Sequence, residues 1–281
     1  MGGVSTDTHT PDQVRRLVEV AELLAREAGA LILDGRRRHV SVAATKSSAQ
    51  DVVTAMDLAS EALLRRRLAE LRPDDGILGE EEGFQAGSSG VTWVVDPIDG
   101  TVNYLYGLPA YAVSVAAVVG PPEPATWTAL AGCVHAPEDG RVFTAGRGLG
   151  ARLEGRTLRV NPARPLIDSL LGTGFGYTAT RRRSQARIVA ELLPRVRDIR
   201  RVGSAALDLC TLAAGGLDLY YERGLQPWDM AAGALVAQEA GAQVTGLRGH
   251  PAQEAMTVAG PPGRVGELIG LLEALEADSD E

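Results

Sequence analysis

The segment from Val91 to Tyr104, VTWVVDPIDGTVNY, constrains this chain more than any other. Val91–Val95 reads as a buried strand. It runs into Asp96, Pro97, Ile98 and Asp99, after which Gly100 and Thr101 open a short helix. Pro97 fixes the backbone and frees the Ile98 carbonyl from the strand ladder. Two carboxylates three residues apart at a strand end can converge on one cation or bridge two. The unpaired N–H groups of the helix start would face a phosphate. The same residue types also make an ordinary turn with a helix cap. Chemistry therefore requires partners elsewhere in the chain.

Two further acidic clusters supply them. Leu78-Gly79-Glu80-Glu81-Glu82 ends a short apolar strand, where a solvated charge run is the plain alternative. Gln226-Pro227-Trp228-Asp229 enters a helix of small residues, where a first-turn acid favoured by the helix dipole is the plain alternative. Three such clusters in one chain fit a shared site better than three separate accidents. Glu80, Asp96, Asp99 and Asp229 in one pocket could not all stay ionised without cations. All-oxygen ligands select hard divalent ions, and Mg²⁺ is the usual choice when phosphate shares the coordination sphere. The histidines, His9, His39, His135 and His250, are scattered and offer no competing cluster. Carboxylates with helix-start amides point to Mg²⁺-dependent phosphate chemistry.

Composition narrows the class. With 28 basic against 36 acidic residues among 281, the net charge is −8, which argues against a nucleic-acid partner. No apolar stretch approaches the ~20 residues that span a bilayer, so no membrane is expected. Residues 1–10 lack the basic and apolar regions of a secretory signal. Cys133 and Cys210 read as buried free thiols in a reducing cytoplasm. Lys46 is the one lysine in the chain, and Asn103 is one of two asparagines.

The periodicities predict two parts. Thr10, Pro11 and Gln13 cap a first helix that Gly35 ends, and a second helix covers about 57–71. Strands follow at about 76–78, 91–95, 111–119, 129–134 and 141–145, an antiparallel, hairpin-rich set. From about Pro162 to Pro165 onward, strands alternate with helices at about 183–193, 205–214, 228–240 and 263–275. The expected division is an N-terminal α+β half, 1–160, carrying metal-binding motifs, and a C-terminal α/β half, 161–281, carrying the substrate pocket and the final metal ligand. Residues 1–9 and 273–281 are expected to fray.

The motifs together resemble the inositol monophosphatase family of the Mg²⁺-dependent, lithium-sensitive phosphatases. The resemblance rests on Gly79-Glu80-Glu81, on Trp93 to Tyr104, and on Trp228-Asp229 with its Ala-rich helix. Arg201-Val-Gly203-Ser204-Ala205-Ala206, Tyr220-Tyr221-Glu222 and the Lys46 to Asp57 stretch also match, in order, over about residues 12 to 275. It implies an α+β fold, a layered α-β-α-β-α sandwich of the sugar-phosphatase type, usually paired as a homodimer.

The resemblance also implies roles. Glu80, Asp96 and the Ile98 carbonyl would hold a first Mg²⁺, and Asp96, Asp99 and Asp229 a second. A third, weaker ion would share Glu80. Thr101, paired to Asp57, would orient the attacking water, with its proton passing toward Thr101 and Asp57 or Glu80. Gly100 and Thr101 amides would hold phosphate. Gly203, Ser204, Ala205 and Glu222 would form the alcohol-side pocket, with Asp99 and Asp229 also facing substrate hydroxyls. Lys46 would balance charge near the metal loop, or else be a plain surface lysine. Gln226 stands where many relatives carry His; Gln still offers a donor and an acceptor there but cannot carry charge.

The expected reaction is hydrolysis of inositol 1-phosphate, a small-molecule phosphate monoester, without a covalent phosphoenzyme. Fructose 1,6-bisphosphate, histidinol phosphate or a 3′-phosphonucleotide are the alternatives within the superfamily. A non-catalytic interaction protein on the same fold is the alternative outside it. A second phosphate would need extra cations, which the Arg181-Arg182-Arg183 run could supply, although a solvated helix face explains that run more simply. Glu222 beside the leaving group favours a neutral polyol.

Overall fold

The computed structural model describes residues 9–38, 42–45 and 52–280. Lys46 and Asp51 lie outside them. The chain builds helix α1 (Pro11–Arg38), strands β1 (Val42–Thr45) and β2 (Val52–Thr54), helix α2 (Ala55–Leu71), strands β3 (Gly76–Gly79), β4 (Gly83–Gln85) and β5 (Val91–Asp99), and the short helix α3 (Thr101–Leu105). Strands β6 (Ala112–Val119), β7 (Thr128–Ala136), β8 (Arg141–Gly146), β9 (Gly150–Leu153) and β10 (Arg156–Thr157) complete the first sheet. Then come β11 (Leu170–Thr173), α4 (Ala179–Leu192), β12 (Asp198–Arg200), α5 (Ala205–Ala213), β13 (Leu219–Glu222), α6 (Pro227–Glu239), β14 (Gln243–Thr245), β15 (Thr257–Gly260) and α7 (Val265–Ala274).

The helices begin where local chemistry sets them. Thr10 N–H donates to Gln13 Oε1 at 2.7 Å and Gln13 N–H to Thr10 Oγ1 at 3.3 Å, the expected reciprocal cap. Gly35 does not end α1, which continues to Arg38. A Cβ at Gly35 would lie 2.5 Å from Met56 Sδ, so the glycine serves the α1–α2 contact instead. Thr54 caps α2, its hydroxyl accepting from Met56 and Asp57 N–H.

Two large sheets and three helical layers alternate, and β1 and β2 pair antiparallel as a separate small sheet. The eight-stranded sheet has the order β10-β9-β8-β7-β6-β5-β3-β4, with the β3–β5 pair parallel and the rest antiparallel. On one face Trp93, Val95, Val113, Val115 and Cys133 pack against Leu17, Leu24, Ala28 and Ile32 of α1 and Leu64 of α2. On the other face Val94, Ala116, Val134 and Phe143 meet Ala206 and Cys210 of α5 and Ala232 and Val236 of α6. Alternate residues of one strand thus feed two cores, the period-two rule at work. The opposite sides of α5 and α6 cover the five-stranded sheet β12-β11-β13-β15-β14 through Leu209, Leu212 and Ala237. Its outer face is closed by Ile188 and Leu192 of α4 and by Leu268 and Leu272 of α7. The result is the α-β-α-β-α sandwich that the motifs implied.

The small residues of α5 and α6 make this middle layer thin. A Cβ at Gly233 would lie 3.1 Å from Leu209 Cβ, and one at Gly132 in β7 would lie 3.1 Å from Ala232 Cα. The residues after α7 do not fray as expected. Ala277 is buried, Arg248 pairs with Asp278, and Ser184 Oγ donates to the Ser279 carbonyl at 2.9 Å. Among the described residues no helix is long and apolar enough to cross a membrane.

Candidate active site

Strand β5 ends in the site. Its pairing with β6 is regular to Asp96, slips, and resumes at Asp99 opposite Ala112. The interruption falls at Pro97, which has no N–H for the ladder. Ile98 N–H instead donates to Asp96 Oδ1 at 3.0 Å. Gly100 then turns the chain at φ 95°, where a Cβ would come within 2.9 Å of the Ala110 carbonyl. The turn delivers Thr101 into α3 and leaves Asp96 and Asp99 pointing to one side.

Two other chain segments meet this turn. Asp229, in the first turn of α6, places a carboxylate oxygen within 4.8 Å of those of Asp96 and Asp99. Its own orientation is fixed by Gln226 N–H, which donates to Asp229 Oδ2 at 2.7 Å. Ser204, the cap of α5, donates its hydroxyl to Asp99 Oδ2 at 2.6 Å, and Ala206 N–H donates to the same oxygen at 2.7 Å. Glu80, at the end of β3, completes the acidic group as a hydrogen-bonded neighbour of Asp96. Its neighbourhood includes Asp229.

Of the expected site residues, Glu80, Asp96, Ile98, Asp99, Gly100, Thr101, Gly203, Ser204, Ala205, Glu222 and Asp229 line one cavity of about 560 Å³. Asp57 does not line it. It is fully buried behind Thr101, whose hydroxyl lies 3.1 Å from Asp57 Oδ1 and 3.0 Å from the Ile98 carbonyl. Thr54 holds the other Asp57 oxygen through its N–H at 2.8 Å and its hydroxyl at 2.5 Å.

The electrostatics follow from burial and crowding. Burial, then repulsion from Glu80, Asp99 and Asp229, pushes the Asp96 carboxyl well above the ordinary range. Asp229 is raised for the same reasons, with Asp99 and Glu80 as its repelling neighbours. Asp99 rises to about 6, burial outweighing the hydrogen bonds from Ser204 and Ala206. Burial also raises Asp57 to about 6 and Glu222 to about 7. Glu222 accepts from the Tyr220 hydroxyl at 2.7 Å and lines the same cavity. A set of carboxylates that resists ionising together, offering only oxygen ligands, suits a hard divalent cation.

Three further residues have roles that their local sequence does not state. Glu61 of α2 is fully buried and accepts from Glu81 N–H at 2.7 Å and Glu82 N–H at 2.9 Å, which holds the Glu80 turn. A Cβ at Gly79 would lie 2.2 Å from Glu61, so that glycine admits the carboxylate. The Glu61–Arg65 spacing was the available signal, although it also describes any surface helix pair. Asn103 donates to the carbonyls of Ala110 at 2.7 Å and Val202 at 2.9 Å, tying α3 to the entry of α5. Arg181 separates from its neighbours, since it lines the cavity whereas Arg182 and Arg183 are exposed.

The chain has clear relatives among known proteins. The sequence profile of the Inositol monophosphatase family matches residues 13–275. Inositol-1-monophosphatase SuhB of Mycobacterium tuberculosis is 48% identical, covering 95% of this chain and 96% of that protein. The solved structure named Mycobacterium tuberculosis SuhB superposes with a TM-score of 0.79 at 47% identity, over 94% of this chain and 98% of the other. A protein named Nus factor SuhB from Vibrio cholerae is 39% identical over 83% of this chain and 86% of its own length. An inositol-monophosphate-bound structure of SaIMPase-II superposes with a TM-score of 0.76 at 26% identity, covering 93% and 95% of the two chains.

Proposed function

Since the chain belongs to the inositol monophosphatase family, we propose that it is a Mg²⁺-dependent phosphomonoesterase. Its substrates are myo-inositol 1-phosphate and related polyol monophosphates. The observation that carries this reading is the convergence of Asp96, Asp99 and Asp229 on one point, in a cavity also lined by Thr101 and Glu222. Glu80, Asp96, the Ile98 carbonyl, Asp99 and Asp229 would hold two or three ions. When bound, Mg²⁺ supplies Lewis acidity that offsets phosphate charge and lowers the pKa of a coordinated water.

The chain's own residues supply the rest. Thr101 has one hydroxyl proton to share between Asp57 and the Ile98 carbonyl. Its oxygen is left to orient a water and receive its proton, and Asp57, near 6, accepts the proton passed on at neutral pH. Gly100 and Thr101 amides would bind phosphate oxygens. Gly203, Ser204, Ala205 and Glu222 would hold the polyol, with Glu222 accepting from its hydroxyls. Asp99 is held rigid by Ser204 and Ala206, so the cation end and the polyol end share one support.

The shared Nus factor name of some relatives motivates a second reading, a binding role on the same fold. The complete carboxylate set with Thr101 favours catalysis. Phosphate release from inositol 1-phosphate, measured with Mg²⁺ and with chelator, tests the proposal. Release that requires Mg²⁺ supports it, and none under either condition refutes it. Pairing as a homodimer and a cytoplasmic location are part of the proposal and are tested by sedimentation and by fractionation.

A further inference from the structure

We propose that Arg181 and Arg223 form a second anion subsite at the polyol end of the cavity, with the Asp280 side chain occupying it as an internal counter-ion. The ligand class is a polyol bisphosphate, whose second phosphate would displace Asp280. The substrate class rests on the phosphatase reading above, whereas the anion subsite stands on its own geometry.

Arg181, Arg223 and Asp280 line the cavity on the Glu222 side. Asp280 Oδ1 lies 2.5 Å from one terminal nitrogen of Arg223 and 3.6 Å from Arg181 Nε. Two guanidinium groups from different segments therefore converge on a single carboxylate oxygen. Arg181 reaches this point through a slot between glycines. A Cβ at Gly176 would lie 2.6 Å from Arg181 Cδ, and one at Gly224, already at φ 98°, would lie 2.7 Å from a terminal nitrogen of Arg181. Replacing either glycine would push the guanidinium out of the wall. Arg223 is 12% exposed and Arg181 26%, whereas Asp280 is 39% exposed. The cations are built into the wall, and the anion is the loosest member.

The chemistry of exchange is simple. Guanidinium groups bind carboxylate and phosphate oxygens through the same donors, and a phosphate brings more charge and more acceptors. A bisphosphate anchored by its first phosphate presents the second at high effective concentration, enough to compete with a tethered carboxylate. A monophosphate of a neutral polyol offers nothing to exchange and leaves Asp280 in place. Asp280 thereby sets what a second phosphate must displace, so its presence lowers the gain from a bisphosphate without closing the subsite to it. A purely structural latch would show the same ion pairs, but it would not couple them to substrate choice.

The full-length chain and its Asp280→Asn variant are compared in two ways. With Mg²⁺, the ratio of kcat/KM for fructose 1,6-bisphosphate to that for inositol 1-phosphate should rise by about threefold to tenfold in D280N, the worth of one or two partly shielded ion pairs. Adding Arg223→Gln to D280N should return the ratio to the wild-type value or lower. Without divalent ions, calorimetric titration with sodium sulfate probes the arginines alone, because the carboxylate end then repels anions. D280N should bind sulfate more tightly than wild type, and D280N/R223Q should lose that binding. A sulfate affinity unaltered by D280N overturns the subsite. So does a ratio that stays within about twofold in an enzyme that turns over both esters. If wild type hydrolyses neither ester, the phosphatase reading fails and the sulfate titration alone decides the subsite.

Discussion

Asp96→Asn should stabilise the metal-free protein and, in the same variant, remove its response to Mg²⁺. Asp96 lies within 4.8 Å of Asp99 and Asp229, oxygen to oxygen, and beside Glu80. At an effective dielectric of about 20, two unit charges at that separation repel by about 3.5 kcal/mol. Proton uptake limits this cost, since a crowded carboxyl protonates rather than carry the full repulsion. The folded pKa of Asp96 is raised above its unfolded value, so its contribution to stability is present below the unfolded pKa. It is lost as pH rises through the folded value. At pH 8, asparagine at 96 relieves about 1–3 kcal/mol, or roughly 2–10 °C in Tm for a chain of this size. Wild type should gain about 2.7 kcal/mol when Mg²⁺ reaches a hundred times its Kd, and D96N should gain little of it. Thermal melts of both proteins at pH 8, with chelator and with saturating Mg²⁺, give all four numbers. If D96N melts below wild type in chelator and still rises with Mg²⁺, the shared cation site is refuted.

Three further outcomes follow from other parts of the molecule. Glu61→Ala should cost about 2–4 kcal/mol in urea unfolding, because it leaves the Glu81 and Glu82 amides without their acceptor, while Arg65 keeps Glu82 and the Gly83 carbonyl as partners; it should also weaken Mg²⁺ binding, and a stable variant with unchanged metal affinity would contradict the support role. Glu222→Gln should lower the kcat/KM preference for monophosphates over bisphosphates by roughly threefold. In wild type that preference should fade as pH drops below about 7, where Glu222 takes up its proton; a preference flat with pH would count against it. Cys133 and Cys210 are fully buried and burial raises both thiols, so a thiol reagent should label neither until the protein unfolds.

The sequence announced some of this more clearly than the rest, for physical reasons. Apolar periodicity and caps locate α1, α2 and the long central strands, since each buries a continuous face. The sequence carries no such pattern over β1, β2, β4, β9 and β10. They are two to four residues long, too short to establish a period, and their pairing is imposed by neighbours. Gly35 carried the sign of a helix end, but its missing side chain answered a contact with Met56 that no local pattern displays. At the site, Asp96, Asp99 and Asp229 were legible because turn chemistry and acidity coincide there. Glu61 was not, because a buried carboxylate and a surface one look alike within E-x-x-x-R. The parting of Arg181 from Arg182 and Arg183 was hidden too, since it depends on which way one helix faces the cavity.

The hydrogen bonds that fix Asp99 come from residues 105 and 107 positions away in the chain. Such bonds form only once the intervening loop has closed, at an entropic cost that local contacts do not carry. The carboxylate group should therefore be absent from the transition state for folding, and an ion that needs it can bind only the finished protein. Interactions of that kind act on the rate of unfolding and leave the rate of folding alone. Bound Mg²⁺ would then work as a kinetic lock, lengthening the lifetime of the native state without helping the nascent chain to reach it.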